Sequence, residues 1–136
     1  MNGTAMQRVT GIGGIFFKAR DPEALRAWYR RHLGLDIQDW GGTTFRWHDP
    51  AAPEPDGATV WSILSADSAY FAPSSAPFMI NYRVRDLSAV LAALRSEGCT
   101  VDDRTEMSEF GRFGWVMDPE GNRIELWEPP PGRSSS

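Results

Sequence analysis

The sequence predicts an α+β fold, one small domain of two repeated βαβββ modules enclosing an aromatic-lined pocket for a small organic molecule. Three observations point there. The order apolar strand, aspartate, helix, glycine occurs twice. Strand-like stretches follow each helix, separated by glycine- and proline-rich turns. Six tryptophans in 136 residues leave aromatic surface beyond what one core requires.

The first module opens with an apolar, aromatic strand from Gly11 to Lys18. Asp21 caps a helix that has Pro22 in its first position and Glu23 in its first turn. Leu25, Trp28, Tyr29 and Leu33 recur at helical spacing as a buried stripe, with Trp28 and Tyr29 read as core. Gly34 takes the left-handed position that ends the helix. Strands are predicted at Leu35–Trp40, Thr44–Trp47 and Ala58–Leu64, with Gly41-Gly42 turning between the first two. The Pro-rich stretch 49–57 reads as an exposed loop. The segment 66–77 reads as a linker between halves in preference to a lid.

The pattern restarts at Phe78–Val84, followed by the cap Asp86, a helix with Val90, Leu91 and Leu94 on one side, and Gly98 at its end. Strands are predicted near Thr100–Thr105, Phe113–Met117 and Asn122–Trp127, the last two joined by a tight turn at Asp118-Pro119-Glu120-Gly121. Residues 9–128 thus form a single domain, with modules of about 9–66 and 78–128. Residues 129–136 form a flexible tail.

Composition narrows the function. A net charge of −4 without a cluster of Lys or Arg argues against a nucleic-acid partner. No apolar run suits a bilayer and no signal-like segment opens the chain, so a cytoplasmic location without membrane contact is expected. Cys99, alone of its kind, excludes an intrachain disulfide and a thiolate metal cluster, and reads as a small buried apolar residue. Gly11-Ile12-Gly13-Gly14 lacks the preceding strand and following helix of a dinucleotide fingerprint.

The halves also match residue by residue. Ile15-Phe16-Phe17-Lys18-Ala19-Arg20-Asp21 aligns with Ile80-Asn81-Tyr82-Arg83-Val84-Arg85-Asp86, and Ala24 and Ala27 with Ala89 and Ala92. An internal duplication is the simplest account. The closing segment Asp118-Pro119-Glu120-Gly121-Asn122-Arg123-Ile124-Glu125-Leu126 resembles the D-P-[DE]-G-N-x-I-E-L ending of the vicinal oxygen chelate superfamily. That group includes glyoxalase I, bleomycin-resistance proteins and extradiol dioxygenases. The resemblance implies a half-open mixed-sheet barrel, a small ligand in its cleft, a homodimer and, in catalytic members, a lyase, isomerase or dioxygenase chemistry on a divalent metal.

The family's metal ligands are typically His or Gln on the first strand, Glu on the fourth, His on the fifth and Glu on the eighth. By the resemblance these positions fall on Gly14, near Ser62, on Met79 and on Glu125. A glycine offers no donor and a thioether is a poor partner for a hard cation. No metal or other cofactor is therefore expected. A displaced site built on His48 and Glu125 is the metal-binding alternative, and His32 sits in the last turn of the first helix.

Alternation along the strands puts Asn81 and Arg83 beside Met79, Arg123 and Trp127 beside Glu125, and Phe16 beside Gly14. The expected ligand-binding residues are Phe16, Trp47, Trp61, Met79, Asn81, Arg83 and Trp127, for an aromatic or amphipathic small molecule. Arg83 and Glu125 have two readings: a buried ion pair in place of the metal, or contacts to a ligand with Glu125 as a catalytic base. A binding protein and a metal-independent isomerase or lyase both follow from this set.

Overall fold

Both helices begin where an aspartate side chain replaces the missing preceding turn. Asp21 Oδ1 accepts from the Ala24 amide at 3.1 Å, and Asp86 Oδ1 does the same for Ala89 at 3.1 Å. The computed structural model describes residues 8–47 and 57–130. Its elements are β1 (Val9–Ala19), α1 (Pro22–Leu33), β2 (Gly42–Arg46), β3 (Ala58–Ser65), β4 (Phe78–Val84), α2 (Leu87–Ser96), β5 (Thr100–Ser108), β6 (Gly111–Met117) and β7 (Arg123–Glu128). No helix among them is long and apolar enough to cross a membrane. His48, most of the Pro-rich loop and residues 131–136 lie outside the described residues.

The seven strands form one open mixed sheet in the order β2-β3-β1-β4-β7-β6-β5. β1 runs parallel to β3 and β4 parallel to β7, while β1 and β4 join the halves antiparallel. The duplicated pattern is therefore visible as topology. The register Phe16↔Ser62 in the first half corresponds to Asn81↔Glu125 in the second when Asp21 is set on Asp86.

One predicted strand is missing. Leu35–Trp40, the counterpart of β5, is irregular, and Gln38 and Gly41 close a turn by a 3.0 Å bond. Asp36 and Asp39 disfavour a strand there, and Ile37 alone of the six is buried. The first β-strand after α1 is instead Gly42–Arg46, so Gly42 belongs to β2 and not to a hairpin turn.

The helices cover one face of the sheet. α2 seats Leu87, Val90 and Leu91 on Val84, Val116 and Leu126, the larger buried cluster. α1 packs more lightly. Tyr29 meets Phe17 and Trp61 edge-on, at ring distances of 6.1 and 4.9 Å. No α1 residue is fully buried, Trp28 is 49 % exposed and Leu33 is exposed too, so the predicted stripe is only half used. Without a β5 counterpart beside it, the first half offers α1 a narrower bed. Cys99 is also exposed, beyond the end of α2.

Candidate functional site

The face opposite the helices carries a buried carboxylate. Alternation on β4 turns Met79, Asn81 and Arg83 to that inner face, and alternation on β7 turns Arg123, Glu125 and Trp127 the same way. The parallel pairing of Asn81 with Glu125 brings their side chains together. Glu125 is 2 % exposed and Asn81 4 %.

Three hydrogen-bond donors meet the carboxylate. Asn81 Nδ2 donates to Oε1 at 2.7 Å and Trp115 Nε1 donates to Oε2 at 3.0 Å. The Tyr70 hydroxyl also donates to Oε2. Burial, reinforced by the adjacent Glu125 charge, pushes the Tyr70 phenol well above the ordinary tyrosine range and keeps it protonated. No cation pairs with Glu125 among the described residues, so the expected Arg83–Glu125 ion pair does not form. Arg83 lies two residues further along β4 and stacks 5.8 Å from the Trp47 ring.

Tyr70 comes from the segment read in the sequence as a linker. The 66–77 stretch folds back over the inner face, contains a cis bond between Ala72 and Pro73, and inserts Phe71 completely into a cluster with Met79 and Trp115. Phe16, Leu64 and Phe113 pack against that cluster. Arg123 secures the segment. Its Nη1 donates to the Tyr70 carbonyl at 2.6 Å, its Nη2 meets Asp102 at 3.2 Å, and its guanidinium lies 4.7 Å from the Trp115 ring. Tyr70 and Phe71 were absent from the sequence-derived set, whereas alternation had already put Arg123 on this face. An adjacent pair of aromatics amid small residues was the available clue.

The remaining candidates divide into two groups. Trp127 stacks on Phe113 at 6.4 Å and donates to the Phe110 carbonyl at 2.7 Å. Trp47 lies over glycines at the other end of the same face: a Cβ on Gly11 would fall 2.2 Å from its ring, and one on Gly57 2.2 Å from the ring and 2.6 Å from Arg83 Nη1. Trp61 is not part of this face. It points to α1, between Phe17 and Tyr29, because inward alternation on β3 falls to Ser62.

Asn81 has one unusual feature. Its Oδ1 is buried without a hydrogen-bond partner. It abuts Gly13, the extra residue where the β1–β4 register shifts between Ile12 and Gly14. A Cβ on Gly13 would sit 2.3 Å from that oxygen.

The positions corresponding to family metal ligands face the same side, but the residues there do not fit a cation. Gly14 and Met79 bring no hard donor, and the Glu125 oxygens are engaged by N–H and O–H donors. Among the described residues no three of His, Cys, Asp and Glu stand close enough to hold a metal. His32, on the exposed side of α1, packs at a tilt against Trp28, with ring centroids 5.1 Å apart.

A family model described as a glyoxalase-like domain matches residues 14–127. Among solved structures, methylmalonyl-CoA epimerase from Mycobacterium tuberculosis is 23 % identical, with 93 % of each chain covered and a TM-score of 0.57. A methylmalonyl-CoA epimerase in complex with methylmalonyl-CoA and NH4+ is 21 % identical, covering 94 % of this chain and 99 % of that one, with a TM-score of 0.64. A structure described as NAD-dependent benzaldehyde dehydrogenase from Legionella pneumophila is 11 % identical over 86 % of this chain and 98 % of its own, at 0.55. Likeness at these identities concerns the fold. The curated proteins contain no match.

Proposed function

Because the chain belongs to the glyoxalase-like domain family, we propose that it binds a small aromatic or amphipathic molecule on the inner face of its sheet without a metal ion. The observation that carries this reading is Glu125, a carboxylate 2 % exposed whose neighbours are hydrogen-bond donors. A buried charge without a counter-charge is costly, and a purely structural position is served as well by an apolar residue. Glu125 shares its face with Arg83, half-buried on Trp47 and without an ion-pair partner among the described residues. A guanidinium so placed suits a ligand carboxylate or carbonyl, while Trp47, Trp127 and Phe16 supply apolar walls. A homodimer belongs to the same proposal.

The test is a tryptophan-fluorescence titration of chelator-treated protein against a library of aromatic acids, amides and ketones. At least one saturable response is expected, weakened about tenfold or more in Arg83→Gln. A library without any saturable response would remove the proposal.

A metal-independent isomerase or lyase is the second reading. The contact between the Tyr70 phenol and Glu125 favours it, since the phenol keeps its own proton and holds in place a carboxylate that can take one from a bound substrate. Glu125→Gln decides this once a substrate is in hand: retained turnover excludes Glu125 as the base.

A further inference from the structure

The three donors on Glu125 are not equivalent. Asn81 belongs to β4 and Trp115 to β6, both inside the sheet, and both are buried. Tyr70 belongs to the connecting segment and is 40 % exposed, so its side chain has an open route to solvent. Its neighbour Phe71 is fully buried and Arg123 grips the Tyr70 carbonyl. The backbone is thus anchored on both counts, and the phenol can leave by side-chain rotation while the segment stays in place.

From this asymmetry we infer that Tyr70 is a resident stand-in for the ligand, its phenol occupying the seat on Glu125 that a ligand hydroxyl takes. The inference rests on the reading of the inner face as a binding site and names the ligand class: a hydroxyaromatic compound, phenolic or enolic. When the Tyr70 hydroxyl departs, Oε2 keeps Trp115 but loses its second donor. A carboxylate so buried is poorly served by an apolar replacement. An incoming ring without a hydroxyl therefore fails where a phenol succeeds. The aromatic side of the seat is supplied by Phe71, whose ring centroid lies 6.3 Å from that of Tyr70, and by Trp115, whose indole meets the same oxygen. A flat ring carrying one donor matches that combination, as Tyr70 itself does.

The test uses the full chain and two probes of nearly equal shape, 4-methylphenol and toluene. The reporter is the Trp115 indole N–H resonance in a nitrogen–proton NMR spectrum, because that proton lies on the contested carboxylate oxygen. 4-Methylphenol is expected to shift the Trp115 resonance saturably, and toluene to bind at least about tenfold more weakly. Tyr70→Phe, which keeps the ring and deletes the competing hydroxyl, is expected to bind 4-methylphenol about tenfold more tightly. Tyr70→Ala, which removes the ring as well, should retain that phenol preference. Equal affinity for the two probes, or equal affinity of wild type and both variants for the phenol, overturns the inference. If a library acid still binds through Arg83 while 4-methylphenol leaves Trp115 unmoved, the stand-in role alone is lost. If neither titrates, both readings fall.

Discussion

Gly13→Ala tests the inner face where bare backbone packs against Asn81. The substitution places a methyl 2.3 Å from Asn81 Oδ1 and 3.1 Å from Trp127 Cε3. Gly13 is not among the positive-φ glycines, so alanine suits the backbone and even gains about 0.4–1 kcal/mol from a less flexible unfolded chain. The destabilisation must therefore come from Asn81. To clear the methyl, Asn81 has to move, which forfeits the 2.7 Å bond to Glu125. A hydrogen bond to a charged group is worth about 1.5–3 kcal/mol, and residual crowding adds about 1 kcal/mol. Less the chain-entropy gain, Gly13→Ala should cost about 2–3 kcal/mol.

The cost should depend on the presence of Asn81. Asn81→Ala is itself destabilising, by about 1–3 kcal/mol, because Glu125 Oε1 loses its donor. In that background the clashing oxygen is gone, and the Trp127 ring has only a few tenths of an ångström to yield. Gly13→Ala should then cost less than about 1 kcal/mol, giving a coupling of at least about 1 kcal/mol. Urea denaturation of the four proteins measures it, and at a slope of roughly 1.5 kcal/mol/M the coupling amounts to at least about 0.7 M in midpoint. Costs that agree within about 0.5 kcal/mol in the two backgrounds would refute the packing argument.

Two other measurements bear on the same face. Elemental analysis of chain purified without chelator should give less than about a tenth of an equivalent of transition metal, unchanged after incubation with Zn, Ni, Mn and Fe(II). Near one equivalent would restore metal chemistry to the site and point to His48 beside Glu125. For Tyr70 the folded phenol titrates above its unfolded value. Its contribution to stability is therefore complete below about pH 10 and is lost as pH rises through the higher folded value. Wild type should lose stability above pH 10 more steeply than Tyr70→Phe, and parallel curves would contradict the assignment.

Much of this architecture was legible in the chain. Asp21 and Asp86 announce their helices because a cap is a local matter, settled within four residues. Alternation placed Met79, Asn81 and Arg83 on one face, and Phe16, Glu125 and Trp127 fall on it too. It did not settle Trp61, whose strand could be entered in either phase, and a shift of one residue exchanges Trp61 for Ser62. Tyr70 is not legible in the sequence for a different reason. Its role depends on how a stretch without periodicity folds back over a distant strand, and periodicity is silent about such stretches. Charge and shared face alone suggest an Arg83–Glu125 pair. Register decided otherwise, giving Asn81 to Glu125 and Trp127 to Arg83.

The shape of the inner face is set by hydrogen atoms at Gly11, Gly13 and Gly57, where Trp47, Asn81 and Arg83 rest against bare backbone. Such a surface diversifies in one direction only. Any replacement at those three positions adds bulk and lifts a ring, an amide or a guanidinium off the sheet. Enlargement has to come from trimming the aromatic walls instead. A search for variants that accept bulkier compounds therefore belongs at Trp47, Tyr70 and Trp127, with the three glycines held constant.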